Sequence, residues 1–185
     1  MKRTITQDII TWSKTFLEKP NKDLGGKPVC PFAKKTREED KLKIIEVRES
    51  KDFLNQVGNE CKTFGSKDVV IIACDDMYIT ADELNDYVHA LNKVFVRDDV
   101  YLIASYPDDE VIDFLESDEF EPDNDFYMVL LQSFQKLEDG SSSLSKTKYY
   151  EYWSDNYYAD TVLVRKQYGD IHGKRNEKKI KEKKR

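Results

Sequence analysis

Cys30 sits in the segment Pro28-Val29-Cys30-Pro31-Phe32, with Lys34, Lys35 and Arg37 close behind it. Nearby cations stabilise a thiolate and lower a thiol pKa, so this spacing points to nucleophilic or redox chemistry if the sulfur is exposed. A Cys-Pro pair can also offer thiolate to haem iron. The opposing reading makes Cys30 a small buried anchor beside Phe32, under the first helix. Asp75 and Asp76 form a second candidate pair. They follow the apolar run Val69–Cys74, and open α/β sheets place ligand crevices beyond the carboxyl ends of their strands. Cys30, Asp75 and Asp76 are the candidate catalytic residues, and no cofactor follows from them.

The remaining chemistry is sparse. His89 and His172 are the only histidines, which limits acid–base and metal schemes; the first falls on a helix as a half-exposed residue, and the second starts the tail. Acidic groups at Asp75 and Asp76, at Asp108, Asp109 and Glu110, and from Asp118 to Asp125 lack the alternating ligands, central glycine and terminal glutamate of a calcium loop. The sequence carries no nucleophile elbow, phosphate-cradling glycine loop or dinucleotide fingerprint. Cys30, Cys61 and Cys74 have no CxxC spacing, so reduced thiols are expected rather than a disulfide framework or a tetrathiolate metal site. Cys61 and Cys74 fall on apolar faces and read as core.

Charge is unevenly spread. Net charge is −6 over 185 residues, yet Asp75 to Asp125 holds 17 acidic residues against Lys93 and Arg97, and Lys146 to Arg185 holds 12 basic residues against six acidic ones. Solvated faces and a solubilising tail, one that docks on the chain's own acidic surface, account for this. A net negative chain is a poor dedicated nucleic-acid binder. The aromatic stretch Tyr149–Tyr158 is able to stack on bases, pack inward or form a protein contact, and tyrosine is a common interface residue.

These residues need elements to hold them. Ile9, Ile10, Trp12, Phe16 and Leu17 recur at helical spacing over 6–17, and Pro20 with Gly25-Gly26 ends that helix in a loop. Leu42 to Val47 reads as a strand; Phe53, Leu54, Val57 and Cys61 mark a helix that Gly65 stops. Val69–Cys74 is continuously apolar and β-branched, as an inner strand covered on both faces requires. Thr80 to Glu83 forms a capping box for a helix with apolar positions Leu84, Tyr87, Val88, Leu91, Val94 and Phe95. Val100 to Ser105 is the next strand, then a short helix is expected over 110–116 and a strand over 126–134, antiparallel to the others. Gly140-Ser141-Ser142-Ser143 reads as a flexible loop, and 149–158 as a helix or packed arm.

Alternating strands and helices predict an α/β (or α+β) fold: one domain over residues 1–170, a mixed, mostly parallel sheet of about four strands packed with helices, and a basic, disordered tail over 171–185. No apolar run is long enough to span a membrane and the start lacks a signal peptide, so a cytoplasmic protein is expected.

The opening helix with Trp12, then Val29-Cys30-Pro31-Phe32-Ala33, then alternating strands and helices, resembles a family of small bacterial proteins of unknown function. In that family a Leu-Cys-Pro-Phe-Ala segment follows the first helix. The resemblance runs over residues 6–131, rests on Cys30 to Ala33, and implies an α/β fold without naming a reaction. Two functions stay open. One is a non-enzymatic accessory protein binding another protein through the aromatic segment and charged surfaces. The other is a small thiol-dependent enzyme or ligand-binding protein with Cys30 in a pocket at the strand ends, assisted by Asp75 or Asp76.

Overall fold

The Thr4 hydroxyl accepts from the Gln7 N–H while the Gln7 carboxamide accepts from the Thr4 N–H, each at 3.2 Å, so a reciprocal cap starts the first helix. The computed structural model describes residues 4–107 and 126–172. Helix α1 (Ile5–Trp12) runs on into a π-turn, Ser13–Leu17, which together fill the stretch expected to be helical. A minimal antiparallel pair follows, β1 (Pro20–Asn21) with β2 (Lys27–Pro28). Gly25 and Gly26 close it at φ 62° and 80°, the left-handed region that favours glycine.

After α2 (Ala33–Glu38) the domain alternates as expected: β3 (Leu42–Glu46), α3 (Ser50–Thr63), β4 (Val69–Cys74), α4 (Ala81–Phe95) and β5 (Val100–Ser105). After the segment 108–125 come β6 (Tyr127–Ser133), α5 (Phe134–Leu144), a 3-10 turn at Tyr149–Tyr152, α6 (Asp155–Tyr158), a π-turn at Ala159–Leu163 and α7 (Val164–Lys166). The helix expected over 110–116, the acidic groups at 108–110 and 118–125, and the tail from Gly173 on lie outside the described residues.

The four strands order as β3-β4-β6-β5. β3 and β4 pair in parallel, and β6 pairs antiparallel to both β4 and β5. Three strands therefore point one way, and the last strand is wedged between the second and third of them. Alternation of side chains across the pleat gives the sheet two greasy faces. Val70, Ile72 and Cys74 face α3 and α4, meeting Phe53, Val57, Cys61, Leu84 and Val88. Ile71 and Ala73 face the other way, onto Ile9 of α1. Beyond them, Tyr101 of β5 packs with Phe134, Tyr168 and Val96. Ile72 and Ala73 are both 0% exposed, so β4 is the interior strand, covered on both faces, that its unbroken apolar run demands.

Local sequence pattern misleads at three places. Gly140-Ser141-Ser142-Ser143 is helix, the last turns of α5, not a flexible loop. The Ser133 hydroxyl accepts from the Lys136 N–H at 3.1 Å to start that helix, and Phe32 covers Gly140; tertiary packing outweighs the glycine and serines. Val94 is 58% exposed and lies off the apolar stripe of α4. The segment Ala33–Glu38 lacks apolar periodicity, yet its alanine, lysines, arginine and glutamate favour a helix and form α2. Among the described residues no helix is long and apolar enough to cross a membrane.

Candidate functional site

The sequence singles out Cys30, which the structure holds half-buried beside an aromatic box. Its N–H donates to the Leu17 carbonyl at 2.9 Å, tying the loop to the end of the first helix. The hydroxyl of Tyr149, a residue 1% exposed, donates to the Val29 carbonyl and lies 3.3 Å from that of Pro28. Tyr150, Trp153 and Tyr157 stack edge-on around it, with centroids 4.8–5.5 Å apart, and Leu24 is buried beneath. Burial pushes the Cys30 thiol pKa up; the N–H groups of Phe32 and Ala33 pull against it, and the Glu18 carboxylate raises it again. Of the three cations that follow the thiol in sequence, Arg37 is engaged elsewhere: it grips Glu18 through two bonds of 2.8 and 2.7 Å. Electrostatics at Cys30 thus run opposite to the activation that the neighbouring lysines and arginine imply in sequence. Cys61 and Cys74 are buried core residues, and burial pushes the Cys61 thiol up to about 12.

Asp75 and Asp76 are exposed at the carboxyl end of β4. They share a crevice of about 730 Å³ with Thr4, Ile5, Glu46, Arg48, Glu49 and Lys51. The Cys74 thiol donates to the Asp76 carbonyl at 3.0 Å. Glu46 accepts from the Thr6 N–H at 2.8 Å, and those bonds to Thr6 hold its pKa below the usual carboxylate range. The structure brings Asp75 and Asp76 together but does not bring Cys30 to them. The crevice touches α1 at Ile5, whereas the Cys30 loop hangs from Leu17; at 1.5 Å per helical residue these points are about 18 Å apart. The crossovers through α3 and α4 also pack on one face of the sheet. Strand order therefore does not reverse between β3 and β4, and reversal is what opens a ligand crevice in doubly wound sheets.

A third place was not singled out in sequence. β5 is an edge strand, and Asn92 of α4, 3% exposed, reaches it from outside. The Asn92 carboxamide donates to the Leu102 carbonyl at 2.9 Å and accepts from the Leu102 N–H at 2.7 Å. Leu102 thus points its backbone groups away from β6. Residues two apart in a strand point the same way, so Ala104 aims its N–H and C=O outward as well. That edge floors a groove of about 350 Å³ between Asn85, Asp86 and His89 of α4 and Asp160, Thr161, Val164 and Tyr168 of the C-terminal helical run. His89 is half-buried, as its sequence position implied. The Tyr168 hydroxyl is hydrogen-bonded to His89 Nδ1 and closes one end of the groove; burial raises the Tyr168 pKa. The carboxylates of Asp86 and Asp160 line opposite walls. One signal was available in sequence: Asn92 falls four residues after Val88 and eight after Leu84, a polar side chain in an apolar stripe, and such a residue needs a hydrogen-bonded partner.

Among the described residues no group of three or more His, Cys, Asp or Glu is placed to hold a metal ion. No curated protein and no solved structure matches the chain. Residues 6–102 match the model of a domain of unknown function, DUF6875. That span is more than half of the 185 residues and holds α1 apart from Ile5, the Cys30 loop, Asp75 and Asp76, and the whole α4 wall of the groove. The chain belongs to the DUF6875 family.

Proposed function

We propose that this protein is a non-enzymatic accessory protein of the cytoplasm, which binds another protein by taking an extended, cation-bearing segment into the groove along β5. The observation that carries this reading is the outward backbone of Ala104 between two helical walls, each bearing one carboxylate. An extended chain added to a sheet edge gains affinity from main-chain hydrogen bonds and specificity from the walls. Asp86 and Asp160 would receive a lysine or arginine from that segment.

The aromatic stretch offers less surface than its composition implies. Its rings turn toward the Cys30 loop and one another, and Tyr152, at 41% exposed, is its outward member. Its contribution is to brace that loop. A thiol enzyme at Cys30 draws less support, since burial and Glu18 both raise the thiol pKa. The net charge of −6 opposes nucleic acid as the partner.

The test places a photo-cross-linking amino acid at Val164, on the groove wall, in protein made in its own cells. A discrete protein adduct is expected. It should weaken in Ala104→Pro, which removes the outward donor but is tolerated on an edge strand. A folded Ala104→Pro variant giving the same adduct would overturn the reading.

A further inference from the structure

The groove's walls carry Asp86 and Asp160, and among the described residues neither is in an ion pair. Among the described residues no lysine or arginine lines it. The chain itself holds a complementary segment close by. Residues 173–185 contain eight Lys or Arg and two Glu, with Ile180 as their one large apolar side chain. That segment starts beside the groove. Ile171 packs on the cluster of Val96, Tyr101, Phe134 and Tyr168. His172 stacks on Phe134 at 5.0 Å between ring centroids, and its Nε2 is 3.4 Å from Asp99 Oδ1. Tyr168, one helical turn before, is itself a groove residue.

Reach poses no obstacle. From His172 to Ile180 an extended chain covers up to about 28 Å. Returning from Tyr168 to Val164 along the helix needs about 6 Å. An isoleucine flanked by Lys178, Lys179 and Lys181 matches what the groove offers: Val164 and Ile103 for the apolar group, and Asp86 and Asp160 for the ammonium groups.

We infer that the chain's own basic tail occupies the β5-edge groove in the unbound protein and must leave before a partner segment enters. The inference rests on the reading of the groove given above. It makes the tail an internal competitor, whose hold weakens with salt because its lysines face exposed carboxylates. A partner must then outcompete a segment held at high effective concentration by its short tether.

The test uses the full chain. Zero-length carbodiimide coupling, mapped by peptide mass spectrometry, should join Lys178, Lys179 or Lys181 to Asp86 or Asp160. In a mixture of isotope-labelled and unlabelled protein these links should stay within one chain. Ile180→Ser keeps every lysine yet should lower the yield about tenfold, and should speed exchange of the Ala104 amide by a similar factor, as for a dock that is otherwise nine-tenths occupied. Links scattered over unrelated carboxylates, mixed-isotope links, or links indifferent to Ile180→Ser would each overturn the inference. If the tail links fail while the Val164 adduct is still lost in Ala104→Pro, the tail proposal alone falls. If Ala104→Pro leaves that adduct intact, the groove reading falls whatever the tail does.

Discussion

Asn92→Leu isolates the contact that defines the edge of the sheet. Leucine matches asparagine in heavy-atom count and suits a helix better, so backbone strain is not expected, though its methyl groups must draw back from the 2.7 and 2.9 Å spacing of the two hydrogen bonds. What is lost is the carboxamide that both accepts from and donates to Leu102, a residue 1% exposed. Each backbone group of Leu102 then stays buried without a partner, at about 1–3 kcal/mol apiece. Burying the leucine side chain in place of the amide returns about 1–2 kcal/mol. Taken at mid-range these terms leave a net loss of about 2.5 kcal/mol, a drop in melting temperature on the order of 5–10 °C for a domain of this size. Urea unfolding followed by circular dichroism measures it, with an unchanged slope showing that compactness is kept. Asn92→Asp, which keeps the acceptor and loses the donor, should also destabilise. An Asn92→Leu protein within about 0.5 kcal/mol of the parent would refute the outward orientation of Leu102 and Ala104 from which the groove is built.

Tyr149→Phe deletes the hydroxyl that donates to Val29 and should cost about 1–2 kcal/mol in the same unfolding assay, with no loss if that bond is absent in solution. Native Cys30 should react with iodoacetamide at pH 8 more than about tenfold slower than in urea, because burial raises its thiol pKa; equal rates would mean an exposed, activated thiol. Gly25→Ala forces a left-handed residue with φ 62° and a Cβ 2.7 Å from the Tyr152 hydroxyl. Since Tyr152 is exposed enough to swing aside, the backbone term dominates, and a loss of about 1–2 kcal/mol is expected in thermal unfolding. Glu18 has its pKa lowered, first by the hydrogen bond from Arg37. A carboxyl depressed in the folded state contributes stability above its unfolded pKa of about 4.3 and loses it as pH falls through the folded value. Stability of the parent should therefore fall more steeply below about pH 4.3 than that of Glu18→Gln, and parallel pH profiles would contradict the ion pair.

Much of the architecture was legible because local and global signals agree. Val69–Cys74 is apolar at every position, so it needed cover on both faces, and β4 has it. Thr80 and Glu83 cap each other as their spacing requires, at 2.8 and 3.2 Å. The sequence had no means of showing that β6 enters between β4 and β5, because register and neighbour choice depend on long-range packing rather than on period. That insertion decides which strand is left at the edge. α5 was hidden because its serines are poor helix formers, and Phe32, over a hundred residues away, supplies the packing. Asp99 shows the same limit. It adopts φ 66° while its carboxylate accepts from Ser133 at 2.6 Å and from the Gln135 N–H at 2.7 Å, joining β5, β6 and α5 from a position that reads as an ordinary turn.

The site was harder to read than the fold. Residue types drew attention to Cys30, Asp75 and Asp76, which the topology places at opposite ends of α1 and the π-turn that continues it. Asn92, His89 and Tyr168 meet at the β5 edge through a helix-to-strand and a helix-to-helix contact. Tyr168 lies 79 positions from His89, and nothing in either neighbourhood announces the other.

Residue-resolved amide exchange on the Ile180→Ser chain tests the open edge of β5 most directly. Leu102, bonded to Asn92, and Ile103, paired with Leu130 of β6, should exchange slowly, while Ala104 between the groove walls should exchange fast. An Ala104 amide as well protected as its neighbour Ile103 would mean that the edge is already paired, and the groove would not be a place for another chain.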